Sequence, residues 1–403
     1  GSSGELHNEA SALLQNDGSL VSPTLFSNAA TATISGNGTY KNGGEWINAG
    51  TFNAGSSTVI FNGAAMGYIT PGNSPFFNVS LQKTDENLFL YAPMQVNGAL
   101  IFLNDNNFFD TNGHALTLGP TATIAGFGSN RFVFTSWNGI LTKENMAAGS
   151  SFTYPVGTSP TNYNPVTLAQ GPGATTDALG VRRLPASLDG GLGGNAFSEG
   201  TAGVSWQLTE NVAGGNNLTV TAQWAAADEL PNFDRNDCGI AFYSNDWELP
   251  PDRMGAAAGA GPFTRTVSGI ATVGAFTVSG EKLMDRCPVS LKIFLQGAGY
   301  DAANLRQGDA LRTANLLPTA LPPTYSQGKF APVGWQPPGG FSVAPSVFAV
   351  TGDNAIVDWV FVFLKKPVAP FQTVQTRPAL VQRDGDVVDL DGISPLKIPA
   401  SAG

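Results

Sequence analysis

Apolar positions recur along the first 52 residues in a short frame: apolar, any, Asn, any, Gly or Ala, any, apolar or small. It reads "LHNEASA" from Leu6, "LQNDGSL" from Leu14, "FSNAATA" from Phe26, "YKNGGEW" from Tyr40 and "WINAGTF" from Trp46. Asn and Gly tolerate the left-handed backbone that turns a chain sharply, so each copy predicts a strand, a corner and a second strand. Corners that stack build a solenoid, in which each coil buries its apolar face only against its neighbours. The spacing of the copies is irregular, whereas a regular β-helix keeps a fixed period.

Strict alternation takes over in "STVIFNG" (Ser57 to Gly63), "FFNVSLQK" (Phe76 to Lys83), "GALIFLN" (Gly98 to Asn104), "HALTLGPTATIAG" (His114 to Gly126) and "RFVFTSW" (Arg131 to Trp137). Gly, Asn or Pro punctuates each, as in an all-β chain. From "SFTYPVGTSPTNYNPVTLAQ" onward the Asn corners stop and the strands lengthen. "VSWQLTENVAGGNNLTVTAQW" (Val204 to Trp224) predicts a hairpin with Ala213 to Asn217 as its loop. Further on, "VSLKIFLQG" and "AIVDWVFVFLKK" predict strands, and "GDALRTANLL" predicts one or two helical turns. The expected fold class is all-β: an irregular parallel β-solenoid-like region over 1–150, then two Ig-like β-sandwich domains. These would span 151–280 and 288–403, joined by a linker over 281–287, the last sandwich reading as incomplete at its C-terminal edge.

Composition agrees with many short strands and tight turns: 49 Gly, 27 Pro and only 12% charged residues in 403. A net charge of −10 and a pI near 4.6 argue against nucleic acid as a partner, because binding phosphates needs clustered Lys and Arg. The longest apolar run, around Trp359 to Leu364, is far below the roughly 20 residues that span a bilayer, so no membrane insertion is expected. The N-terminus carries no basic segment followed by an apolar one, so any secretion signal is expected to have been removed or to lie outside the sequence. Cys238 and Cys287 could form one disulfide in an oxidising compartment or remain two buried thiols.

Candidate chemistry is sparse. The two histidines, His7 and His114, each lie beside an Asn or Gly corner and read as solvated or stacking positions. No phosphate loop, nucleophile elbow or zinc signature is present. Asp105 and Asp110 form the best carboxylate pair of the first region, in the manner a polysaccharide-degrading solenoid would need, but turn aspartates are the commoner explanation. Among the tryptophans most sit in alternating strands and read as core, while Trp247 and Trp335 lie among polar and proline-rich residues and are the first glycan-platform candidates. "RDGDVVDLDG" gathers Asp384, Asp386, Asp389 and Asp391. An EF-hand frame fails at Val388 or at Ile393, which leaves an irregular calcium cage or an ordinary polar turn as the alternatives.

Three stretches resemble secreted, multi-domain surface proteins of Bacteroidota exported by the type IX secretion system. "WINAGTFNAGSSTVIFNG" is similar to their N-terminal coils, "SFTYPVGTSPTNYNPVTL" with "NFDRNDCGIAFY" to their middle domain, and "TVQTRPALVQRDGDVVDLDGISPL" to their C-terminal module. The resemblance implies an extracellular or cell-surface role in adhesion or fibre formation and transfers no catalytic residue. The expected function is therefore a non-enzymatic structural or adhesive protein that assembles through β-strand edges, as a homo-oligomer or with other surface proteins. Calcium-dependent carbohydrate binding, with glycans as partners, is the alternative; a polysaccharide-degrading β-helix is a third.

Overall fold

A computed structural model describes residues 4–244, 247–249, 254–280, 286–321, 341–365, 369–371 and 373–399. It divides into two compact units, Gly1–Ser187 with Phe197–Glu281, and Leu188–Ala196 with Lys282–Gly403.

The first unit opens as a parallel solenoid. One eight-stranded sheet runs from Glu5–Asn8 through Leu25–Asn28, Glu45–Asn48 and Gly67–Thr70 to Val156–Gly157, every neighbour parallel. A six-stranded parallel sheet, from Ser19–Ser22 to Thr123–Ala125, forms a second face. A third face is interrupted: Leu13–Gln15, Thr33–Ser35 and Thr51–Asn53 stack for three coils, the fourth contributes only a bridge from Phe76 to Val96, and Met94–Val96 resumes it.

The register explains the irregular motif. Leu6, Phe26 and Trp46 lie directly above one another in steps of 20 residues, and later coils take 21 to 24. Leu14 and Tyr40, which carry the same motif, belong to the other two faces. The copies therefore mix three interleaved columns of one regular period. Phe26 stacks on Trp46 with ring centroids 4.4 Å apart and planes 7° from parallel, and Tyr40, Phe52 and Phe76 meet this pair edge-on or tilted. Rings in such contact gain about 1 kcal/mol per pair beyond the area they bury.

The asparagines do turn the chain, but not by left-handed backbone: none of Asn8, Asn16, Asn28, Asn42 or Asn48 has a positive φ. They work through their side-chain amides. Asn8 Nδ2 donates to Asn28 Oδ1 at 2.8 Å, and Asn28 Nδ2 to Asn48 Oδ1 at 2.7 Å. The same amides donate to the main-chain carbonyls of Thr33, Thr51 and Pro71 in the next coil up. At the other two corners Asn16 and Asn42 each accept the N–H of the residue two further on. In a later coil a buried lysine stands at the corner of Asn42: Lys83 Nζ donates to Gly43 O and Asn62 O at 2.7 and 2.9 Å. Glycine is needed where coils touch through backbone; a Cβ on Gly36, at φ +121°, would lie 2.0 Å from Asn16 O.

One compact unit and one of its sheets run across residue 150. The resumed third face continues from Met94–Val96, Ala115–Leu118 and Ile140–Met146 directly into antiparallel strands Asp177–Leu184, Thr201–Glu210, Ala275–Gly280, Cys238–Tyr243 and Trp247–Glu248. A four-stranded antiparallel sheet, Ser151–Tyr154, Val166–Gln170, Leu218–Trp224 and Phe263–Ile270, shares its core: Tyr154, Leu168 and Val220 cluster with Val181, Val204 and Trp206. The expected hairpin over Val204 to Trp224 is not one. Its arms enter different sheets, and the connecting loop is held by Asp177, which accepts the N–H groups of Asn211 and Val212, and by Glu210, which accepts that of Gly214.

In the second unit Leu291–Lys292, Asp386–Val388, Thr373–Gln382 and Ile356–Lys365 form a four-stranded antiparallel sheet around Ile356, Leu380 and Val388. "VSLKIFLQG" keeps only the two-residue strand, while the helical patch appears as one turn, Ala310–Thr313. Among the described residues no helix is long and apolar enough to cross a membrane.

Two stability outcomes follow from the corners. Asn28→Ala breaks the ladder at its buried middle rung and should cost about 3 kcal/mol in denaturant unfolding followed by Trp46 fluorescence, with a smaller loss for Asn8→Ala in the outermost coil. Burial pushes the Lys83 ammonium from its ordinary 10.5 down to about 8. Between these values the unfolded chain keeps a proton that the folded chain has released, so stability rises with pH across that window. The melting temperature of the wild type minus that of Lys83→Met should therefore climb from pH 8 towards pH 10, and a flat or falling difference contradicts the assignment.

Candidate functional site

The four aspartates of residues 384–391 are not brought together. Asp386 Oδ1 pairs with Lys292 Nζ at 3.0 Å, with Asp384 Oδ2 3.8 Å from the same ammonium. Asp389 pairs instead with Arg377 at 3.1 Å. Asp391 serves its own turn, accepting from the N–H groups of Ile393 and Ser394 and from the Ser394 hydroxyl. Burial pushes the Asp391 carboxyl up, but those bonds outweigh it and hold the group below its usual value. The strand Asp386–Val388 ends before Asp389 and Asp391. Among the described residues no three His, Cys, Asp or Glu side chains converge as a metal site.

The other expected sites also separate. Trp247 is 6% exposed, on the edge strand of the eight-stranded sheet and packed against Tyr243 and Phe197, so it offers no platform. Trp335 lies outside the described residues. Cys238 is a free, buried thiol whose pKa burial raises to about 11, which makes it a poor nucleophile at neutral pH. The side chain of Cys287 lies outside the described residues. Asp105 pairs with Arg131 at 3.2 Å while Asp110 accepts the N–H of Asn112, two separate turn roles. His7 lies 3.2 Å from Glu5 on the exposed first strand, and the His114 N–H closes a turn on Thr111 O. A pocket of about 250 Å³ opens where the third face is interrupted, lined by Phe52, Asn53, Phe76, Phe77 and Asn97 among others, with no acid, base or nucleophile in its wall.

What the fold does expose is a different tryptophan. Trp137 is 84% exposed, whereas Trp46, Trp206 and Trp224 are fully buried. It occupies the corner of the seventh coil, in a turn closed by Gly139 N–H donating to Ser136 O at 2.8 Å, and its φ is +54°. A bulky side chain in that region costs on the order of 1 kcal/mol or more and persists only where its surroundings over-determine it. Here they do. Arg182 Nη1 donates to Trp137 O at 2.9 Å and to Asn138 Oδ1 at 2.6 Å, and Thr135 exchanges hydrogen bonds with the backbone of Arg183. From the coil below, Thr111 fills the space under Gly139, where a Cβ would lie 1.8 Å from Oγ1. The corner is thus clamped where the parallel solenoid meets the first antiparallel strand.

More aromatic surface adjoins it. On the outer side of the first sheet Tyr68 stacks on Phe89 at 5.8 Å, and Tyr91, 53% exposed, meets Tyr68 edge-on at 5.7 Å. Met66, 49% exposed, accepts from the Tyr68 hydroxyl. Two coils further on Phe108, Phe132 and Phe134 continue the outward aromatic face, but they are buried because the chain after Gly157 folds back and lays Tyr163 on Phe132 at 4.9 Å. The face is covered at one end by the chain itself and open at the other. Trp137 ends the alternating stretch "RFVFTSW", and its sequence signal is the following Asn138-Gly139, a turn pair that pulls the preceding residue into the corner.

Comparison with known proteins adds no relative: no family model matches the chain, and neither curated proteins nor solved structures contain a significant match.

Because Asp391 is occupied by its own turn, Asp391→Ala should lower the stability of the second unit by about 1–2 kcal/mol, while excess calcium chloride leaves the melting temperature of the wild type unmoved. A calcium-dependent rise that Asp391→Ala removes would restore the cage.

Proposed function

We propose that this chain is a non-enzymatic structural or adhesive protein of the cell surface or extracellular space, with the solenoid as a stiff spacer that assembles through its strand edges. The observation that carries this is the outermost coil. Leu6, Leu14 and Leu20 are half-buried, whereas Phe26, Ile34 and Tyr40, which occupy the same positions one coil on, are at most 1% exposed. Among the described residues the strands Glu5–Asn8, Leu13–Gln15 and Ser19–Ser22 each pair on one side only, and their edges and apolar face fit a further parallel coil or strand, from more of the same chain, a second copy or another surface protein. Export by the type IX pathway in a Bacteroidota cell, and Ig-like sandwiches after the solenoid, belong to the same proposal; for 151–280 it is supported by two antiparallel sheets with one shared core. The calcium-dependent form of glycan binding has no converging carboxylates to support it among the described residues.

Glu5, Glu9 and Asp17 ring the exposed coil, so two copies meeting there repel until salt screens them. Sedimentation at rising protein concentration should show association that increases with salt and is lost in Leu14→Lys. A chain that stays monomeric at every concentration and ionic strength sinks the assembly reading.

A further inference from the structure

We propose that the corner carrying Tyr91 and Trp137 binds an extended, neutral polysaccharide, with the two rings as stacking platforms for sugar faces. The inference rests on the contact-surface reading above and supplies its ligand class.

Three observations lead there. First, Trp137 is held outward in a backbone conformation that disfavours it, by Arg182, Thr111 and Thr135 acting together. A turn with no task beyond joining two strands would settle on Gly or Asn at that position, because both enter the left-handed region at little cost. Strain that is built in and then braced is retained for what the side chain does outside the fold, since with 84% of it exposed the indole contributes little to the core.

Second, the spacing fits a polymer. Tyr91 opens the corner of the fifth coil and Trp137 sits in the corner of the seventh, with the Thr111 to His114 corner between them. Successive coils are separated by about 4.8 Å, so the backbone positions of Tyr91 and Trp137, two coils apart, lie about 10 Å apart along the solenoid axis. That advance matches a disaccharide step in an extended β-linked chain, which offers an apolar sugar face at each end. Indole and phenol rings give such faces a large, stiff contact with little entropy to lose. Tyr68 meets Tyr91 edge-on and is itself stacked on Phe89.

Third, charge and polar groups select against acidic polymers. The whole chain carries −10, and the nearby cations are already used: Arg131 pairs with Asp105, and Arg182 is spent on the Trp137 turn. With Asp110 Oδ1 taken by the Asn112 N–H and Asn138 Oδ1 by Arg182, the second Asp110 oxygen and the side-chain amide N–H groups of Asn112 and Asn138 remain at the corner for hydroxyl groups.

The full chain would be run in native gels containing hydroxyethylcellulose, xylan or galactomannan, with alginate as the acidic comparison. At least one neutral polymer should retard the wild type and alginate should not. Trp137→Ala and Tyr91→Ala should each weaken retardation about tenfold, the value of one lost ring contact. Trp137→Gly is the decisive variant: it should weaken binding as much as Trp137→Ala while its melting temperature rises, because glycine relieves the strained backbone. No retardation by any neutral polymer, stronger retardation by alginate, or wild-type binding by Trp137→Gly each overturns the proposal. A fall in the melting temperature of Trp137→Gly overturns the strain argument. Sedimentation of Trp137→Gly keeps the two readings apart, since association through the outermost coil does not involve Trp137; association without polysaccharide binding refutes only this inference.

Discussion

A chain that coils on itself must turn three times per coil inside a packed stack, and each turn strands main-chain carbonyl and amide groups away from water. An unpaired buried group of that kind costs roughly 1–3 kcal/mol, so corners decide whether a coil can exist at all. In the first three coils the side-chain amides of Asn8, Asn28 and Asn48 meet the demand by bonding to one another and upward to the next coil. An amide has donors and an acceptor in one plane, which lets it serve two coils at once. The aromatic stack of Phe26 and Trp46 is only possible because this polar ladder fixes the 20-residue step beside it.

The later coils solve the same problem with other chemistry. Lys83 is buried with its ammonium on two carbonyls, Asn107 donates back to Lys83 O, and Lys143 donates to Gly119 O and Pro120 O. A long chain ending in three donors reaches carbonyls that a short amide cannot, at the cost of burying a charge. As the corners change, the period loosens to 21–24 residues and the third face breaks at the fourth coil. That loosening leaves room for Trp137 and its neighbours at one corner.

The all-β class, the solenoid and the Asn corners are legible in the sequence because local turn chemistry and apolar spacing carry them. The period is not, because the motif at Leu14 and Tyr40 is shared by faces that the linear order interleaves with Leu6, Phe26 and Trp46. The strands around Val204 to Trp224 are legible but their partners are not: alternation tells which side of a strand is apolar, never which sheet it joins. The same limit hid the exposed tryptophan. Trp247 in polar surroundings is buried and Trp137 at a strand end is exposed, since exposure is settled by what packs alongside from 40 or more residues away, here Arg182. The aspartates misled for a related reason: four carboxylates close in sequence are handed to Lys292, Arg377 and a local turn, two of which come from other strands.

The sheet that crosses from coils to antiparallel strands gives the first unit a direction. A free-standing solenoid frays from both ends, because each terminal coil has one neighbour. Here the strand Ile140–Met146 has a parallel partner on one side and the antiparallel strand Asp177–Leu184 on the other, so on that face the seventh coil presents no open edge. Peeling the coil away there means breaking into a sheet that continues past it, like a zipper sewn shut at its base.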